Sequence, residues 1–218
     1  MIRVFIGYDP RQPLAFNTLA HSIWSHATAP VAITRLQLNQ LPITRTGLTE
    51  FTYSRFLVPY LSGYDGTSIF VDSDFICQGD LAELLAFPIA FPECAVFVSK
   101  NKLKFEWASL MVFNNALCHT LTPEYIQDRK YVLFDFSWAK RVGELPATWN
   151  HLVEYDEHDP HAKMIHYTQG IPCWPETKGC AHAKTWQDVA KQSVSTVSFE
   201  ALMGNSVHAS HVRARYGK

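Results

Sequence analysis

Apolar residues in this chain occur in short runs separated by turn residues, and the spacing alternates between strand-like and helix-like. Residues 2–6 (Ile-Arg-Val-Phe-Ile) read as a short buried strand. Gly7 to Pro13 reads as a loop, and Pro13 suits the first position of a helix running to about residue 26, with Leu14, Leu19 and Ile23 on its apolar side. Residues 31–36 give a second strand. Residues 49–61 give a second helix, which Pro59 should end or kink. Ser62-Gly63-Tyr64-Asp65-Gly66 is a strong turn signal, and residues 68–72 follow as a buried strand that ends in acid. Further on, 81–85 reads as a helical turn and 94–98 and 110–113 as strands. Thr122-Pro123-Glu124 reads as a capped helix start, 163–167 as a late strand and 185–191 as a late helix.

Strands and helices alternate in the first half. That favours an α/β fold with a largely parallel sheet and helices on its faces. In such sheets ligands bind beyond the carboxyl ends of the strands. Gly7-Tyr8-Asp9 and Asp72-Ser73-Asp74 both fall at predicted strand ends.

Composition narrows the class. The length of 218 residues fits one compact domain over the whole chain, with about 205–218 expected as a solvated tail carrying His211, Arg213, Arg215 and Lys218. Apolar residues make up 47% and charged residues 18%, enough for a full core. A net charge of -1 argues against general attraction to nucleic acid or anionic membrane. The N-terminus lacks the pattern of a signal peptide and no run is apolar enough to span a bilayer, so a cytoplasmic protein without an integral membrane segment is expected. Five cysteines without C-x-x-C spacing point to free thiols rather than a zinc site or disulfide framework.

Asp72-Ser73-Asp74 carries the sharpest chemistry. In extended geometry residues two apart face the same way, so two like charges meet unless a cation or donor lies between them. Oxygen ligands suit magnesium or manganese. The plain alternative is a turn or helix cap. The apolar neighbours Ile69-Phe70-Val71 and Phe75-Ile76 argue against a solvated turn.

Three segments together resemble a known family: Thr52 to Leu61, Ile69 to Asp74, and Gly79-Asp80-Leu81-Ala82-Glu83-Leu84 look like glycosyltransferase family eight and its relatives. Val4 to Asp9 fits the same pattern, and the likeness spans most of residues 1–175. The resemblance implies a GT-A (nucleotide-diphospho-sugar transferase) fold and a nucleotide-sugar donor, commonly a UDP-sugar. It further implies sugar transfer, with retention, to a carbohydrate, lipid or protein acceptor, and manganese or magnesium held by Asp72 and Asp74. A third metal ligand is implied from a late H-x-x-G-x-K-P-W segment. The match here is His166-Tyr167-Thr168-Gln169-Gly170-Ile171-Pro172-Cys173-Trp174, with His151 and His161 as competitors for the histidine. The segment's lysine is absent, which leaves Lys163 or Lys178 as substitutes.

By the same resemblance Gly7, Tyr8, Asp9, Arg55, Asp72, Ser73 and Trp107 would bind the nucleotide-sugar. Arg55, Asp135 and Asn150 would act catalytically. Arg55 could equally pair with Asp72 or Asp74, and Trp107 and Trp149 could equally be core. An inverting enzyme would need a carboxylate base, for which Asp135 and Glu106 are candidates. The alternatives are an inactive nucleotide- or sugar-binding relative and, further off, a sugar nucleotidylyltransferase, whose Gly-rich basic loop after the first strand is missing here. No G-x-x-x-x-G-K-[ST] occurs, which argues against a P-loop kinase.

Overall fold

The computed structural model describes residues 1–194 and 209–216. A six-stranded sheet forms the centre, built from β1 (Ile2–Gly7), β2 (Val31–Leu36), β3 (Thr67–Val71), β5 (Val96–Val98), β6 (Leu110–Asn114) and β7 (Val142–Glu144) in the order β2-β1-β3-β6-β5-β7. β1 pairs in parallel with β2 and β3, and β5 with β7, while β6 runs antiparallel to both neighbours. Five strands of this sheet therefore point one way and β6 points back. The mostly parallel α/β sheet expected from the alternation is present.

Burial follows the period of two. Val4, Ile6, Ile69 and Val71 pack on one face with Leu19 and Ile23 of α1 (Pro13–His26). Phe5, Phe70, Met111 and Phe113 pack on the other face with Phe56 and Leu57. Both faces are covered, which explains why the strands read as near-continuous apolar runs.

A second sheet joins β4 (Phe75–Cys77), β8 (His151–Leu152) and β9 (Met164–His166) in the order β4-β9-β8. α5 (Ala183–Ser193) brings Trp186 onto this sheet's cluster with Ala15, Ile76 and Ile165. Residues 72–74 thus form the junction between β3 of the large sheet and β4 of the small one.

The helix expected over 49–61 is different in the structure. A 3-10 turn covers Ser54–Leu57, and only Val58–Leu61 (α2) is α-helical. The amide of Thr49 donates to Thr52 Oγ1 at 3.0 Å, so a threonine hydroxyl competes with the helical pattern. Pro59 lies in the first turn of α2, where its missing N–H costs nothing, so it starts this helix and does not end it. α3 (Ala86–Ala90) and α4 (Pro123–Gln127) are short, and Thr122 caps α4 through Tyr125 as its sequence suggests. Within the expected tail, Ala209–Tyr216 is helical (α6), and residues 205–208 and 217–218 lie outside the described residues. Among the described residues no helix is long and apolar enough to cross a membrane.

Candidate active site

Two registers build the site. Val71 pairs with Leu110, and the amide of Asp72 donates to the Ser109 carbonyl at 2.9 Å, so Asp72 leaves the sheet beside the turn that precedes β6. Phe75 pairs with His166, and the Tyr167 amide donates to the Asp74 carbonyl at 2.9 Å. This second register sets Asp74 next to His166, whose ring stacks on Phe75 with centroids 4.1 Å apart. Asp72, Asp74 and His166 therefore offer two oxygens and one nitrogen that all lie within 4.8 Å of one another.

Hydrogen bonds fix the imidazole. Asn150 Nδ2 donates to the Glu106 carbonyl at 2.8 Å, which leaves Asn150 Oδ1 as the acceptor 3.0 Å from His166 Nδ1. The proton then sits on Nδ1, and Nε2 faces Asp74 Oδ1 at 3.4 Å, where it can take a second proton or, once that is lost, turn its lone pair to a cation. His166 and Asn150 are both buried.

Arg55 is committed within the protein. Its Nη2 lies 3.1 Å from Asp72 Oδ1, its Nη1 donates to the Ala108 carbonyl at 2.9 Å, and its guanidinium packs among the rings of Phe51, Phe70 and Phe134. Glu106 completes the group. Its Oε2 accepts from Ser109 Oγ at 2.9 Å and lies 4.0 Å from His166 Nε2.

Three carboxylates thus face one guanidinium and one imidazole. Burial, first of all, pushes the Asp72 carboxyl up to about 7; Arg55 opposes this, and the charges of Asp74 and Glu106 add to it. For His166, burial disfavours the proton, but the carboxylates of Asp74, Glu106 and Asp72 outweigh it, so its pKa is raised. Asp72 Oδ1 and Asp74 Oδ1 are buried without a hydrogen bond, the first despite its contact with Arg55. Two buried acids beside an imidazole that can give up its Nε2 proton fit a hard divalent cation. The cavity beside them is about 90 Å³ and opens past the exposed Leu48 and Phe105, with Phe51, Glu106 and Thr168 also in its walls.

The other expected positions are placed as follows. Gly7 lies one step beyond the Ile6–Val71 pair, beside Asp72. A Cβ on Gly7 would fall 2.5 Å from the Phe51 ring, so the glycine admits Phe51, which in turn walls the cavity. Tyr8 meets the ring of Phe16 edge-on and stacks under Arg35 at 4.6 Å. The buried Asp9 carboxylate takes the Arg11 side chain and amide, and the Arg11 hydrogen bond holds its pKa low. Ser73 is buried between the two acids. Trp107 donates its indole N–H to the Asn101 carbonyl at 2.9 Å and packs on the core, outside the cavity. Asp135 is exposed and accepts from the Ser137 amide. Lys163 pairs with Glu83, and Lys178 lines a separate hollow with Glu154 and Gln169, so neither lines this cavity. His151 lies against His182, and His161 lines another hollow with Lys163. Thr168 and Phe105 were not anticipated. Thr168 was within reach, because it shares strand parity with His166; Phe105 carries no local signal.

This arrangement was compared with known proteins. The family model for glycosyl transferase family 8 matches residues 8–128. The chain belongs to that family. Protein CDI of Arabidopsis thaliana is 32% identical over 221 residues, covering 84% of each chain. Among solved structures, the bifunctional glycosyltransferase WbbM superposes with a TM-score of 0.64 at 17% identity over 98% of this chain, which spans only 51% of WbbM. The galactosyltransferase LgtC, solved with donor and acceptor sugar analogs, gives a TM-score of 0.59 at 11% identity over 91% of this chain and 98% of its own. At such identities the two structures speak for the fold, and they place this family 8 chain in the GT-A class.

Proposed function

We propose that this glycosyltransferase moves a sugar from a nucleotide-sugar, a UDP-sugar foremost, to a carbohydrate, lipid or protein acceptor, with Asp72, Asp74 and His166 holding manganese or magnesium. The observation that carries this reading is the convergence of two buried carboxylates, one of them paired with Arg55, and an oriented imidazole nitrogen within 4.8 Å. When bound, the ion supplies positive charge to the departing diphosphate. Arg55 holds Asp72 from behind and keeps its carboxylate in place. Asn150 is a positioning residue that sets the His166 tautomer. Gly7, Tyr8 and Asp9, at the neighbouring strand end, form the side on which the nucleotide lies. Retention at the anomeric carbon is carried over from the family resemblance. Residues 1–218 are taken to act as one unit. The five free cysteines suit a cytoplasmic setting.

Incubation with manganese and a panel of nucleotide-sugars tests the reading. Release of nucleoside diphosphate is expected, slowly by hydrolysis without acceptor and faster with one. Donor binding without release from any donor or candidate acceptor would leave a binding protein in its place. The Asn150 role has its own signature. Asn150→Ala is expected to weaken manganese affinity by about 10- to 100-fold, the usual range for loss of a partner behind a ligating histidine. It should also free His166 to populate both tautomers, visible in the nitrogen chemical shifts of labelled histidine. Unchanged affinity with an unchanged tautomer would remove Asn150 from this role.

A further inference from the structure

Glu106 is not needed to complete the cation set, yet its position is closely held. Its backbone carbonyl is tied to Asn150, its carboxylate to Ser109, and its side chain stands in the cavity wall. The reversed direction of β6 puts it there. The turn Lys104–Ser109 enters the sheet at the edge where β3 leaves it. We infer that Glu106 selects the donor sugar: it admits a neutral hexose or pentose and rejects a uronic acid. This rests on the reading of the cavity as a nucleotide-sugar site.

A sugar joined to a cation-bound phosphate must lie beside that cation. Its surroundings here are anionic. Asp72, Asp74 and Glu106 all line the cavity, and among the described residues lining it Arg55 is the only arginine or lysine. Arg55 is already engaged by Asp72, Ala108 and Phe51. Three basic side chains of neighbouring segments are engaged elsewhere. Lys104 lies 5.7 Å over the Trp107 ring, Arg45 donates to the carbonyls of Ile126 and Asp128, and Arg11 pairs with Asp9. Recognition of a carboxylate calls for a free guanidinium or ammonium, and none is among the described residues that line the cavity.

What the wall does offer suits hydroxyl groups. The Glu106 carboxylate has accepting capacity beyond its bond to Ser109, and Thr168 Oγ1 is buried in the wall with no partner. A neutral sugar satisfies both by donating to Glu106 and exchanging a hydrogen bond with Thr168. A uronate brings a further negative charge toward Glu106 in a cavity of low effective dielectric, which weakens its binding by about tenfold or more.

The test compares matched donors on the whole chain with manganese: UDP-glucose against UDP-glucuronate, and GDP-mannose against GDP-mannuronate, with UDP and GDP as references. The neutral member of the pair whose nucleotide binds is expected to bind at least about tenfold tighter, and Glu106→Gln should bring the ratio toward one. The ratio is taken within one preparation, so a loss of folded protein cancels from it. Equal or tighter uronate binding overturns the inference, and so does a ratio that Glu106→Gln leaves unchanged. If neither UDP nor GDP binds with manganese, the nucleotide-sugar reading itself falls and this inference falls with it.

Discussion

Asp74→Ala is expected to abolish manganese-dependent donor binding and to lower transfer by about a thousandfold or more, while the folded protein stays as stable as before or becomes slightly more so. The two halves of this expectation have one cause. Asp74 Oδ1 has no hydrogen-bond partner, and its charge adds to the repulsion that pushes Asp72 up. Without a cation that repulsion offsets the attraction of Asp74 to His166, 3.4 Å away, so the carboxylate adds little to the fold. The strand register that holds the segment uses the Asp74 backbone carbonyl, which alanine keeps. With a cation the same carboxylate becomes a ligand for charge stabilisation worth several kcal/mol. Calorimetric titration with manganese, alone and with nucleoside diphosphate, reads the first half, and a thermal melt without metal reads the second. Unchanged donor affinity would remove Asp74 from the cation site. A large fall in melting temperature would show that the side chain has a structural partner.

The opposite pattern is expected at Arg55. Arg55→Met should destabilise the protein by about 3–5 kcal/mol, because it leaves the buried Asp72 without its counter-charge. Both side chains are nearly inaccessible, at 3% for Arg55 and 9% for Asp72. Methionine fills much of the volume between Phe51, Phe70 and Phe134, so the loss should come mainly from electrostatics and from the unsatisfied Ala108 carbonyl. Two observations separate this cause from poor packing. Adding Asp72→Asn to Arg55→Met should recover a good part of the loss, and saturating manganese should do the same with Asp72 present. Urea unfolding of the single and double variants measures the first, and its repetition with manganese the second. An unfolding midpoint identical to that of the parent would mean that the pair contributes nothing to the fold.

The sequence made some parts of this site legible and hid others. The β3 end with its two acids could be read directly, since an apolar run that closes on Asp-x-Asp and resumes with Phe75-Ile76 does not suit a solvated turn. His166 came through the family resemblance. Its physical basis, the pairing with Phe75, depends on two strands far apart in the chain, and no local pattern encodes that register. The same limit hid the role of Glu106. Local reading offered it only as a base for an inverting enzyme, because its place beside Asp72 depends on β6 running against its neighbours. The helix expected over 49–61 forms only in part for another reason. Its apolar spacing is real, but the side chains of Thr52 and Arg55 bind the Thr49 amide and the Phe51 carbonyl and hold the stretch in turns. Asp135 and Trp107 came from the motif match alone, and neither is among the residues that line the cavity: Asp135 is exposed with Oδ1 accepting from the Ser137 amide, and Trp107 donates its indole N–H to Asn101.

The acids lie where the chain passes from the large sheet to the small one, and His166 returns to that place only after most of the remaining fold has been laid down. An ion bound to all three would close a long ring of chain, much as a disulfide would, and would restrict the unfolded ensemble as well as join two sheets in the native one. Donor chemistry and mechanical integrity would then share one fastener. A cell short of manganese would lose the enzyme's turnover, and part of its resistance to unfolding would go as well.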